Sequence, residues 1–129
     1  NNSSYENDKR TFLNDGTIIN LKGTEYRILE LKSRGASCVV YLAKNCSNNR
    51  RVLIKEFYPK KCDITRDENN NLVISNGDSN IYRILKNSCV TYKLQLEFHN
   101  SDETATIPVI GNMVEAYSTL YVIMNKVVG

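Results

Sequence analysis

The stretch Glu25–Phe57, EYRILELKSRGASCVVYLAKNCSNNRRVLIKEF, decides how the rest of the chain is arranged. Three apolar runs, Tyr26–Leu31, Val39–Ala43 and Val52–Phe57, are separated by short polar breaks. Each run is short and rich in β-branched and aromatic residues, so each reads as a strand. Tyr26, Ile28 and Leu31 do not alternate cleanly, which predicts a bulge in the first strand. In the second, Val40 and Leu42 share one face and Val39, Tyr41 and Ala43 the other. The first break holds Gly35, Ala36, Ser37 and Cys38, all small, so a ligand can approach the backbone closely there. Amides in such a turn can face an anion. Lys55 interrupts the third apolar run. An ammonium in mid-strand is costly unless it has a task, and a lysine on the neighbouring strand can reach a bound anion as a point charge.

The segment Ser33-Arg34-Gly35-Ala36-Ser37-Cys38-Val39-Val40-Tyr41 resembles the glycine-rich loop of protein kinases, G-x-G-x-x-G-x-V, and Val52-Leu53-Ile54-Lys55 resembles the V-A-I-K of the third kinase strand. Lys55 follows Gly35 by 20 residues, similar to the family spacing. The wording TIINLKGTEYRI and IKEFYP resembles bacterial serine/threonine kinases in particular. The resemblance covers nearly the whole chain but one lobe of the kinase fold.

Working outward, residues 1–10, NNSSYENDKR, are polar and read as a flexible leader. Phe12-Leu13 and Thr17-Ile18-Ile19, separated by a turn at Asn14-Asp15-Gly16, add a short strand. Asn45 to Asn49 is a hairpin turn. Pro59 ends the third strand. Asp63–Arg66 and Leu72–Ser75, flanking Asp67–Asn71, predict a small β-hairpin inserted between the third strand and a helix. The helix is expected over 80–99, with Ile81, Ile84, Leu85, Cys89, Tyr92 and Leu96 on one face and Asp78 or Ser79 at its start. Residues 107–116 and 119–125 are the last two strands, with a tight turn at Tyr117-Ser118. The run Leu120–Met124 suits a strand buried on both faces. The expected class is α+β: a five-stranded antiparallel twisted sheet packed by one helix. Residues 1–15 form the leader and short strand, and 16–129 a kinase small lobe ending at the hinge.

The resemblance implies ATP with Mg²⁺ as cofactor. It assigns Lys55 to the phosphates and to a glutamate of the helix, for which Glu97 is the candidate partner. Around the alignment position of that glutamate stands Lys93, which shares a helical face with Glu97. Ser33, Gly35, Ala36, Ser37 and Cys38 take the phosphate-loop positions, with only Gly35 matching a family glycine. Val40 is among the implied cofactor-binding residues, and Leu53 takes the roof of the adenine pocket, leucine being larger than the family alanine. Met124 takes the gatekeeper position, and Asn125 and Val127 the hinge, where backbone groups meet the adenine edge. The catalytic H-R-D and D-F-G segments are missing, so the metal ligands belong to the other lobe and the chain alone is expected to be inactive. The implied function is the ATP-binding lobe of a serine/threonine kinase that transfers the γ-phosphate to protein hydroxyls. The alternative is a pseudokinase lobe that works by protein contact.

Composition agrees with one domain or a large lobe: 129 residues, 41% hydrophobic and 24% charged. The net charge of +3 is spread along the chain, which does not favour nucleic acid. No apolar run approaches the roughly 20 residues that cross a bilayer. Cys38, Cys46, Cys62 and Cys89 lack C-x-x-C spacing, and His99 is the single histidine, so no metal site is expected. Reduced thiols fit a cytoplasmic protein. The start at Asn1 in place of Met fits a piece of a longer protein. A lobe on its own exposes apolar surface, and self-association is expected, alongside ATP and a protein substrate or binding partner.

Overall fold

The computed structural model describes residues 8–60, 64–74, 87 and 113–124. Eight strands appear in it: β1 (Ile18–Leu21), β2 (Thr24–Arg34), β3 (Cys38–Asn45), β4 (Arg51–Phe57), β5 (Ile64–Arg66), β6 (Leu72–Ile74), β7 (Met113–Ala116) and β8 (Thr119–Met124). Six form one antiparallel sheet in the order β1-β2-β3-β4-β8-β7, and β5 pairs with β6 as a separate hairpin. The expected bulge in β2 is present twice, as register shifts between Ile28 and Glu30 and between Leu31 and Ser33.

The expected α+β class is corrected. Every element among the described residues is a strand, and the main sheet has six of them, nearly closed into a barrel. Two physical reasons stand out. Ile18–Leu21 pairs along β2 and adds a sixth strand at the edge. The sheet then curls until the Asn20 amide of β1 donates to the Tyr117 hydroxyl between β7 and β8, 2.7 Å away. The concave face thereby buries itself. Leu13, Ile19, Leu21, Tyr26, Ile28, Val39, Tyr41, Ala43, Val52, Ile54, Val114, Tyr121 and Ile123 form that core. No helical element occurs among the described residues. The helix expected over 80–99 lies outside them, except Asn87, an exposed residue in helical conformation.

A second, smaller cluster holds Phe57, Tyr58, Ile64, Leu72 and Leu120, with Cys38, Ile74 and Met113 against it. It explains why Leu120 to Ile123 are all buried. Leu120 joins the second cluster while Tyr121 and Ile123 enter the first. Where sheet and helix were expected to cover this strand, the β5–β6 hairpin supplies part of the cover. The hairpin is also tied in by the Leu72 amide, which donates to the Tyr117 carbonyl at 2.9 Å.

Turn chemistry sets the joints. Lys22 and Gly23 connect β1 to β2 with φ of 56° and 90°. Tyr117 and Ser118 connect β7 to β8 with φ of 51° and 62°, the left-handed pair of a type I′ hairpin. The Asp67 carboxylate accepts from the Asn69 and Asn71 amides and closes the β5–β6 turn.

Candidate functional site

Strand register places Lys55. Its Cα partners are Val40 on β3 and Val122 on β8. Val40 in turn pairs with Ser33 on β2, and Val122 with Met113 on β7. Directly paired residues share a face of the sheet, so Ser33, Val40, Lys55, Val122 and Met113 form one row. The neighbouring row on that face runs Glu30, Leu42, Leu53 and Met124. Alternation sends Tyr41, Ile54, Tyr121 and Ile123 to the opposite, core face. Lys55 therefore lies on the outer face of the curled sheet, among apolar side chains. Leu42 and Val122 there are buried, and Val40, Leu53, Lys55 and Met124 are half-buried.

The small-residue turn closes one end of this face. The Gly35 amide donates to the Cys38 carbonyl at 2.8 Å. A β-carbon on Gly35 would stand 3.1 Å from the same carbonyl, so the turn accepts little beyond hydrogen there without adjustment. The Ser37 carbonyl accepts from the Tyr58 amide and the Ala36 carbonyl from the Lys60 amide, each at 2.8 Å. Among the described residues, the Ala36 and Ser37 amides donate to no protein acceptor. Ser33, Gly35, Ala36 and Ser37 are exposed, and Cys38 is half-buried with a free thiol. Burial pushes that thiol up, and the nearby Lys55 charge opposes the shift. The thiol form is favoured, which argues against a nucleophilic role.

Glu56, next in sequence to Lys55, points the other way and is wholly buried. Its carboxylate accepts from the Tyr41 hydroxyl at 3.1 Å, from the Tyr121 hydroxyl at shorter range, and from Arg66 Nη2 at 2.7 Å. Arg66 also donates to the carbonyls of Thr11 and Asn70. Burial alone lowers the Arg66 pKa, but the adjoining carboxylate outweighs it and holds the guanidinium above its ordinary range. Burial and the same carboxylate push the Tyr41 and Tyr121 phenols up, so both stay protonated as donors. This network fixes β4, β8, the hairpin and residues 11–13 to one another. Lys55 is presented from a braced strand.

Of the residues singled out in the sequence, Ser33, Val40, Leu53, Lys55 and Met124 share one face, and Gly35, Ala36, Ser37 and Cys38 form the turn at its end. Glu97, Asn125 and Val127 lie outside the described residues, as does Lys93. Sequence reasoning missed Arg10, buried in what read as a flexible leader, and the Glu56–Arg66 pair. The one signal for the pair was a carboxylate inside the apolar run Val52–Phe57. Nothing local pointed to Arg10.

No protein-family model matches the sequence, and no curated protein matches it. Among solved structures, the chain is similar to the apo form of PpkA-294, from a bacterial Ser/Thr kinase. The TM-score is 0.71 at 16% identity, over 89% of this chain and 38% of that one. The likeness is one of fold. The described sheet is thus kinase-like in its architecture, and the chain spans well under half the length of the protein it matches.

Proposed function

We propose that this chain is the ATP-binding small lobe of a serine/threonine protein kinase-like protein. The observation that carries the reading is the row Ser33–Val40–Lys55–Val122, which sets one lysine on an apolar face beside an exposed turn of small residues. The residues present fit a nucleotide. Val40, Leu42, Leu53 and Met124 offer an apolar platform for a purine. The Ala36 and Ser37 amides offer donors to phosphate oxygens. Lys55 offers the positive charge between them. ATP, when bound with Mg²⁺, supplies the phosphoryl group that the whole protein passes to a protein hydroxyl. The kinase-like fold supports this reading, and the larger part of that matched chain has no counterpart in these 129 residues.

A second reading is a pseudokinase lobe that works by contact alone. Leu53 favours it, because a half-buried leucine in the middle of the platform narrows the space for a purine. Titration of Mg·ATP by calorimetry separates the two. The first reading expects binding that Lys55→Ala weakens by about 10- to 100-fold, the worth of one charge-assisted hydrogen bond. Equal heats for Lys55→Ala and the wild type, or none from either, favour the second.

A further inference from the structure

Arg10 is 7% exposed, although it follows a run of polar residues. All three of its side-chain nitrogens are engaged. Nη1 donates to the Gly35 carbonyl at 2.8 Å and to the Tyr58 carbonyl at 2.9 Å. Nε and Nη2 donate to the two oxygens of Asp8 at 3.0 and 2.7 Å. Its guanidinium lies over the Phe12 ring at 5.4 Å and the Tyr58 ring at 5.9 Å. Four hydrogen bonds fix the group, and the Asp8 carboxylate pairs with its charge. Its effect is on the turn.

Three successive turn carbonyls, those of Gly35, Ala36 and Ser37, are held by Arg10, Lys60 and Tyr58. Arg10 is itself bonded to the Tyr58 carbonyl, so all three anchors stand on the same side of the turn. In a trans peptide the C=O and the following N–H point in opposite directions, and no cis bond occurs among the described residues. Tying the Gly35 and Ala36 carbonyls to one side therefore turns the Ala36 and Ser37 amides to the other. In an ordinary two-residue hairpin turn, the carbonyl at the Gly35 position closes the turn by accepting from the residue three along. Here Arg10 occupies that carbonyl.

We propose that Arg10 is a positioning residue for the phosphate-binding turn, holding the Gly35 carbonyl so that the Ala36 and Ser37 amides stay presented to a triphosphate. The proposal rests on the nucleotide reading above and extends it to a residue 25 positions upstream of the turn. Lysine cannot reproduce the fork, because a single ammonium cannot span the Gly35 and Tyr58 carbonyls and both Asp8 oxygens.

The test compares the wild type with Arg10→Lys and Arg10→Ala in two measurements. The first is amide hydrogen exchange at Gly35, Tyr58 and Lys60, the three amides of the turn's own bonds. Both variants are expected to exchange there at least about tenfold faster, while Ile54 in the sheet core keeps its protection. The second is affinity for Mg·ATP against adenosine. Both variants are expected to lose about three- to tenfold for Mg·ATP, the worth of one neutral hydrogen bond, with adenosine unchanged. Unchanged exchange at all three amides overturns the proposal, as does an equal loss for Mg·ATP and adenosine, which marks a merely structural role. A wild-type chain that takes up no Mg·ATP overturns the nucleotide reading, and the exchange measurement still decides whether Arg10 holds the turn.

Discussion

Two adjacent residues on β4 carry opposite charges to opposite sides of one sheet. Alternation sends Glu56 into the core and Lys55 to the outer face. The buried carboxylate survives because every contact it makes is with a donor: Arg66, Tyr41 and Tyr121. Replacing it by Glu56→Gln leaves the Arg66 guanidinium buried without its counter-charge, since the Arg66 side chain is only 3% exposed. The expected loss of stability is about 3–5 kcal/mol, read from urea unfolding midpoints. Asp8 carries a pH dependence. Its hydrogen bond from Arg10 holds its carboxyl below the ordinary value of 3.8. A lowered carboxylate contributes stability above its unfolded pKa and loses it as pH falls through the folded one. The wild type should therefore exceed Asp8→Asn in melting temperature above pH 3.8, and that margin should close as the pH drops further. At this scale the sequence showed Lys55 clearly, because a charge in an apolar run is a local anomaly. It did not show Arg10 or Arg66, whose partners lie up to 48 and 55 positions away and leave no periodic mark.

The strands of the element scale were the most legible part. The run Val52–Phe57 matches β4 to within one residue, since Arg50 and Arg51 precede it and Pro59 follows closely. Thr17-Ile18-Ile19 was read as a short strand, but its membership of the main sheet was not, because edge pairing depends on curvature that no local pattern encodes. The β5–β6 hairpin lies where the sequence predicts an inserted hairpin, but its place in the packing is not legible there. Its Ile64 and Leu72 fill the second core, which a three-residue strand cannot announce. The β7–β8 joint holds a testable inefficiency. Ser118 sits at φ 62°, a conformation that costs an L-residue about 1–2 kcal/mol. Its neighbour Tyr117 has a hydroxyl bond and an edge-on ring contact with Tyr121 to keep it there. Ser118→Gly should thus stabilise the fold by about 1 kcal/mol, seen as a rise in melting temperature, whereas an unchanged or lowered value would contradict the turn assignment.

Across the whole molecule, the two faces of the curled sheet divide the labour. The inner face holds the core and the buried Glu56, and brings distant segments to bear on β4. The outer face carries Lys55 between apolar neighbours, with the small-residue turn at its end. On the proposed reading, stability and recognition fall to alternate residues of the same strands. The register of β3, β4 and β8 gathers Val40, Leu53, Lys55 and Met124 on that face, which is where the proposed reading puts a nucleotide. The central claim is that this outer face receives it. Nuclear magnetic resonance of the labelled chain, titrated with Mg·ATP, tests that most directly. The account predicts saturable shifts at the Ala36 and Ser37 amides together with Val40, Leu53, Lys55 and Met124. Shifts confined to the core face or to the β5–β6 hairpin, or no shifts at millimolar nucleotide, would contradict it.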